Sequence, residues 1–356
     1  MEFLKFVFFS DFVSPEDRIT NRTTEIGLTL QYVLSLSSLV LSLIFSFGTF
    51  MTEASIVERL KENCDFTESE GELSLPLDEM ITDKWPQYGA VCFDNVSVRY
   101  RKGLPFAIKN FDLTIEPGEK VVIVGRTGSG KSTLLLALMR ILELEKTDTE
   151  TSLDKKRNKK KGEILIDGVD IARLGLHKLR RNIAVIPQDP YLLEGTLRFN
   201  LDQFGEYSDS QMIKILERIE FLSTIKDKKH TVKTEGSEKK NENYLDMKIE
   251  GRGANLGVGQ RQLICIARAL LKRTRILLMN EATENVEKKV DRLIQRIVLG
   301  ELERCTVITV AHRIETVMGY ERVVVLDQGS KVEEGRLLEL ISDEGSQFYH
   351  MVKAHE

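Results

Sequence analysis

Val121-Val122-Ile123-Val124-Gly125-Arg126-Thr127-Gly128-Ser129-Gly130-Lys131-Ser132-Thr133 is the stretch whose reading decides the fold. Four consecutive apolar β-branched residues predict a buried strand. Gly125, Gly128 and Gly130 then allow a tight loop whose backbone N–H groups can converge on an anion. The run from Leu134 to Ile141 is a good helix former, so the anion also meets a helix N-terminus. Gly-x-x-x-x-Gly-Lys-Ser is the spacing of a phosphate-binding P-loop. Residues Gly125, Arg126, Thr127, Gly128, Ser129, Gly130, Lys131, Ser132 and Thr133 are therefore the expected phosphate-binding set. Lys131 would neutralise β- and γ-phosphate oxygens, and the Ser132 hydroxyl would ligate Mg²⁺.

Around this loop lie 356 residues, enough for two domains or one large domain with attachments. A net charge of −4 speaks against nucleic acid as the partner of the whole chain. Cys64, Cys92, Cys265 and Cys305 show neither disulfide nor metal spacing, which fits a reduced, cytosolic setting for most of the chain.

Residues 26–52 carry no charge and are flanked by Glu25 and Glu53. About 20 apolar residues cross a bilayer core, so this stretch is long enough to span. Its serines and threonines suit a helix packed among other membrane helices. Residues 3–9 are too short to span and no small-residue cleavage site follows, so no signal peptide is read. With the phosphate-binding loop on the cytosolic side, residues 1–25 are expected to face the lumen or exterior. Asn21-Arg22-Thr23 is a glycosylation pattern placed close to the membrane. Residues 26–62 are expected as the transmembrane helix with a cytosolic extension, and 63–89 as an acidic linker.

From residue 90 to 352 an α/β pattern takes over. Strands are expected at 91–100, 111–115, 164–166, 183–186, 276–279, 307–310 and in a closing hairpin around Gln328-Gly329. Helical periodicity marks 210–221 and 259–271. Wholly apolar strands alternating with helices predict a largely parallel, buried sheet. Tyr100, in a strand upstream of the P-loop, could stack on a nucleobase. Polar insertions at 146–161, containing the basic run 155–161, and at 226–243 read as solvated surface segments.

Several motifs stand in fixed order behind the P-loop. Val185-Ile186-Pro187-Gln188-Asp189-Pro190 resembles a Q-loop, and Leu256-Gly257-Val258-Gly259-Gln260-Arg261-Gln262-Leu263 a signature sequence. Residues 276–281 resemble a Walker B strand, Asn285-Val286-Glu287 a D-loop, and Val310-Ala311-His312-Arg313 a switch histidine. Together they resemble the ATPase cassette of an ABC transporter over about residues 90–352. The wording of the Q-loop and signature regions is similar to the second cassette of subfamily C, the multidrug-resistance-associated type.

The resemblance implies a RecA-like P-loop core with an antiparallel β subdomain and an α-helical subdomain, preceded by one transmembrane helix. It implies adenine on Tyr100, Mg²⁺ held by Ser132 and Gln188 with Asn280 nearby, Glu281 as general base, and His312 on the γ-phosphate. It also implies that Gly257, Gly259 and Gln260 cap ATP on an opposing cassette. The expected partners are a second nucleotide-binding domain and the transmembrane domains of a multi-pass assembly in a membrane. The expected cofactors are ATP and Mg²⁺.

Three departures bear on activity. Family members carry Asp where this chain has Asn280, which removes a charge near Mg²⁺. The signature Ser is Gly257, which removes a hydroxyl donor to phosphate. The D-loop Asp is Glu287, beside Glu284 and Asn285. Glu281 and His312 are retained and argue against complete loss of catalysis. One span cannot line a transport path, so the resemblance implies a C-terminal piece: a fragment, a truncated product or half of a split assembly. The leading expectation is an exporter ATPase with weak hydrolysis. The alternatives are a regulatory ATP-binding module and a non-functional product.

Overall fold

The computed structural model describes residues 15–66, 70–82, 84–101, 103–145, 162–229, 244–281, 286–300, 302, 304–311 and 314–354. The first fourteen residues, the basic run 155–161, the insertion residues 230–243, Glu284, Asn285 and His312 lie outside them. The chain divides into two compact units, Met1–Glu70 and Gly71–Glu356.

Among the described residues the first unit holds one helix, α1 (Pro15–Phe66), of 52 residues. At 1.5 Å per residue it is about 78 Å long. Its segment Thr24–Asp65 is long and apolar enough to cross a membrane, and no second such segment occurs among the described residues. Side-chain hydroxyls in this segment turn back on their own helix. Ser37 Oγ donates to the Val33 carbonyl at 2.9 Å, Thr49 Oγ1 to Ser46 at 2.9 Å and Thr52 Oγ1 to Gly48 at 3.0 Å. A hydroxyl so satisfied needs no water, which lets these residues sit in an apolar helix.

The second unit is built on a six-stranded sheet in the order β12-β11-β3-β10-β9-β6. Its strands are β3 (Lys120–Gly125), β6 (Ile183–Ile186), β9 (Ile276–Asn280), β10 (Thr306–Val310), β11 (Arg322–Asp327) and β12 (Ser330–Arg336), while β7 (Gly195–Thr196) and β8 (Lys248–Ile249) pair with each other apart from it. All pairings within the six-stranded sheet are parallel except β11 with β12. Strand alternation divides the apolar residues cleanly between two cores. Val122, Val124, Leu277, Met279, Val307 and Val325 face a core shared with α8 (Val258–Lys272) and α9 (Lys288–Gly300). Val121, Ile123, Ile276, Leu278, Ile308, Val310 and Val324 face the other core. That core also takes Leu134 and Leu138 of α3 (Lys131–Leu138) and the inner faces of β1 (Val91–Val98) and β2 (Ile108–Ile115). β1 and β2 belong to a four-stranded sheet in the order β2-β1-β4-β5, with β4 (Glu163–Ile166) and β5 (Val169–Asp170), antiparallel throughout. Burial on both faces explains why the parallel strands read as unbroken apolar runs.

Two helix boundaries differ from those expected. The helix after the P-loop ends at Leu138, because Arg140 takes a left-handed conformation (φ +50°). Its guanidinium donates to the carbonyls of Ile171 and Leu174 at 3.0 and 2.6 Å. The helix expected over 210–221 is two: α6 (Asp209–Arg218) and α7 (Phe221–Lys229). Glu220, at φ +54°, breaks the turn so that Phe221 enters the core fully buried.

The acidic stretch before β1 has few regular elements, but from Gly71 onward it belongs to the second unit and packs within it. It contains α2 (Leu77–Met80), whose Leu77 packs with Ile81 against the core, and Trp85, which is 6% exposed. It also caps α4 (Leu176–Asn182), the helix that leads directly into β6. Leu176 N donates to Glu72 O and His177 N to Leu73 O, both at 3.1 Å, while Gly175 N donates to the Asp78 carboxylate at 3.0 Å. The first amides of a helix have no partner within it, so this stretch supplies the missing acceptors.

Candidate nucleotide-binding site

β3, β9 and β10 are neighbours in the sheet and end at the same edge. In an open α/β sheet the carboxyl ends of the strands are where ligands bind. The loop following β3 runs straight into α3. Gly130 caps that helix at φ +100°, and a Cβ there would lie 2.6 Å from the Ala107 carbonyl oxygen. Only glycine fits the position. Lys131 opens α3 and is 4% exposed. Its ammonium curls back over the loop and donates to the carbonyls of Gly125 at 2.9 Å and Arg126 at 3.1 Å. Burial pushes its pKa down, and the Glu281 carboxylate opposes that shift.

The next residue, Ser132, donates from Oγ to Asn280 Oδ1 at 3.2 Å. Asn280 is the last residue of β9 and pairs in register with Val310, the last of β10. Glu281 follows with φ +47°, its N–H donating to the Val310 carbonyl at 2.9 Å. A non-glycine residue held in this region of backbone space is uncommon and marks a constrained position. On the other side of α3, Thr133 Oγ1 and Tyr100 Oη are 3.0 Å apart. The Tyr100 side of this pair is 54% exposed, so the ring is anchored at its hydroxyl and open to water elsewhere.

Gln188 follows β6 and Pro187. Gln262 of α8, 1% exposed, donates from Nε2 to the carbonyls of Pro187 at 3.1 Å and Gln188 at 3.0 Å. Gly257 is the N-cap of α8, and its N–H donates to Gln260 Oε1 at 3.0 Å. Gln260 Nε2 donates in turn to the Thr224 carbonyl of α7 at 3.2 Å. Gly259 lies where a Cβ would come 3.1 Å from Val290 Cγ1, so its smallness lets α8 approach the start of α9.

The structure thus gathers the loop from Gly125 to Thr133 with Tyr100, Asn280 and Glu281. Gln188 is tied to α8, and Gly257, Gly259 and Gln260 make the contacts just given with α7 and α9. Two residues to which the sequence assigns no role in the site, Gln262 of the signature stretch and Gly329 of the closing hairpin, help to build it. Gln262 fixes the backbone at Gln188. Gly329, in the β11–β12 turn at φ +81°, donates its N–H to Ser129 O at 3.0 Å and accepts from Lys109 N at 2.7 Å. The turn itself is legible as Asp-Gln-Gly-Ser; its contact with a loop two hundred residues earlier is not.

The residues suit an anion and a hard cation. Ser129 Oγ is buried in the loop with no partner among the described residues, a donor that a phosphate oxygen would satisfy. The Ser132 hydroxyl is a hard oxygen of the kind Mg²⁺ accepts, while Asn280, whose Oδ1 accepts from that hydroxyl, brings no charge to a cation.

Residues 108–284 match the family model described as ABC transporter. ATP-binding cassette sub-family C member 3 of Rattus norvegicus is 41% identical over 329 residues, 92% of this chain and 20% of that protein. Bile pigment transporter 1 of Saccharomyces cerevisiae is 39% identical over 331 residues, again 92% of this chain and 20% of the relative. The chain therefore spans about a fifth of the length of these curated relatives. A solved structure, a bacterial Atm1-family ABC exporter with ATP bound, superposes with a TM-score of 0.62 at 26% identity, covering 75% of this chain and 42% of the exporter chain. Motif order, fold and these similarities agree: the chain belongs to the ABC transporter family, with its similarity running to subfamily C, and carries that family's nucleotide-binding cassette.

Proposed function

We propose that this chain binds ATP with Mg²⁺ in the Gly125–Thr133 loop and hydrolyses it slowly, in a composite site with a second cassette, to drive export across a membrane. The observation that carries the reading is the meeting of Lys131, Ser132, Asn280 and Glu281 beyond the carboxyl ends of β3 and β9, the two strands that flank β10. In this reading Lys131 exchanges its two loop carbonyls for phosphate oxygens. The hydroxyl of Ser132 and the side chain of Gln188 would hold Mg²⁺, which would supply positive charge to the phosphates. Glu281 accepts the proton of the attacking water. Tyr100 presents its ring to the adenine, and His312 is assigned to the γ-phosphate by family resemblance. Gly257, Gly259 and Gln260 serve the nucleotide of the opposing cassette, where the N-terminus of α8 directs its dipole. The membrane helices and second cassette belong to the parent assembly, whose cassettes face the cytosol.

A second reading rests on specific residues. Asn280 and Gly257 each remove a polar contribution to catalysis, so the cassette would bind ATP and act as a regulatory module whose nucleotide-driven pairing gates a partner. Single-turnover hydrolysis separates the two. The first reading expects slow conversion of bound ATP that accelerates when a cassette with an intact signature is added. Bound ATP that stays intact under the same conditions supports the second.

A further inference from the structure

We propose that Asn280 makes this site nearly indifferent to Mg²⁺ for nucleotide binding, so that it accepts the uncomplexed triphosphate about as well as the magnesium complex. The proposal deepens the ATP-binding reading and rests on it. Ser132 Oγ gives its proton to Oδ1 of the Asn280 amide at 3.2 Å, the same donation a carboxylate at position 280 would receive. The shape of the contact is thereby kept. The other branch of the side chain is where the chemistry changes. A carboxylate carries a second acceptor oxygen there; Asn280 carries Nδ2, with two N–H donors and no acceptor.

An acceptor at that point favours water bound to a cation and repels phosphate oxygen. A donor does the reverse. The formal charge follows the same direction. With Ser132, Gln188 and Asn280 all neutral, Glu281 is the charged acidic member of the proposed set, and it lies near the buried Lys131. Among the described residues no group of three His, Cys, Asp or Glu side chains could hold a metal by itself. Mg²⁺ is ordinarily bound through one or two carboxylates plus substrate phosphates. The protein's share of that attraction is therefore small here. The repulsion that would exclude a metal-free triphosphate is small for the same reason. Lys131 and the loop amides remain to attract the phosphates under both conditions.

The test is equilibrium displacement of a fluorescent ATP analogue by ATP, using the full chain in detergent, with excess Mg²⁺ and separately with EDTA. The expected result is an ATP affinity in EDTA within about threefold of that in Mg²⁺. Asn280→Asp should widen that ratio to about 10–100-fold, the usual weight of a residue supporting a metal site. Asn280→Ser, neutral and small, should keep the narrow wild-type ratio, so a poorly folding Asp variant does not remove the test. Wild-type binding that requires Mg²⁺ by tenfold or more overturns the proposal while leaving the ATP-binding reading intact. No displacement under either condition overturns both.

Discussion

The P-loop and the strand end that faces it have kept different amounts of their chemistry. On the P-loop side every expected element is in place: glycine where a side chain would strike the Ala107 carbonyl, a buried lysine over the loop, and a serine at the helix start. On the facing side the contact geometry is kept, with Ser132 and Asn280 3.2 Å apart, but the charge is gone. In α8, Gly259 and Gln260 sit in packed and hydrogen-bonded positions, while Gly257 offers no side-chain hydroxyl where the family resemblance expects a serine. The difference teaches that holding a nucleotide and turning it over depend on separable groups. In the proposed reading, loop shape and a lysine supply the first, and a correctly placed negative charge with the opposing cassette's hydroxyl supplies much of the second.

The comparison breaks most easily at Lys131. Replacement by Ala removes charge-assisted contacts worth about 1.5–3 kcal/mol each. The expected outcome is a loss of ATP affinity of about 100-fold or more by calorimetry; equal affinity would mean the loop is not the binding element. Next comes Asn280→Asp, expected to raise Mg²⁺-dependent hydrolysis about 10–100-fold when a competent partner cassette is present. In a Glu281→Gln background the gain should vanish, since the base is then missing. If Asn280 instead serves a local hydrogen-bond network, the variant melts at a lower temperature and shows no gain. Smaller again is Gly257→Ser. One hydroxyl donating to a charged group is worth about 1.5 kcal/mol at its lower end, or about tenfold. The gain is expected at the nucleotide of the partner cassette, read by labelling ATP on that cassette alone.

The smallest effect separates the scaffold from the site. Cys305 leads into β10 and is 4% exposed, and burial pushes its thiol up to about 12 from 9.0. Between those values the unfolded chain has lost a proton that the folded chain keeps, so stability must fall as pH rises. The slope from one such group is at most about 1.4 kcal/mol per pH unit. Lys272, lowered to about 8 from 10.5 by burial, works in the opposite sense up to pH 10.5. The difference between wild type and Cys305→Ala, by chemical unfolding at several pH values, isolates the thiol. A flatter alkaline limb is expected in the variant, with ATP affinity at neutral pH unchanged. A loss of affinity would show that scaffold and site are less separable than argued.

Much of the site was legible because local rules carry it. Three glycines, a lysine and a serine at fixed spacing after a β-branched run specify strand, loop and helix without distant information. The apolar strands could be located by the absence of polar residues, since both of their faces are covered. What could not be read depends on contacts between segments far apart in sequence. Gly329 supports Ser129, and Gln262 supports Gln188, across distances that no periodicity records. The break at Glu220 was hidden for a related reason: helical periodicity runs through it, and burial of Phe221 overrides local preference. The stretch before β1 reads as acidic and irregular, yet its carbonyls and the Asp78 carboxylate cap α4.

The central claim is that this cassette holds ATP well and converts it poorly for want of a charge at position 280. A filter-binding single-turnover experiment tests it most directly: the chain is loaded with labelled ATP and Mg²⁺ beside a competent partner cassette, and both retained nucleotide and released phosphate are followed. The account predicts saturable ATP retention by wild type and Asn280→Asp alike, with phosphate released at least about tenfold faster by the variant. Failure of the wild type to retain ATP, or equal release rates from the two proteins, would contradict it.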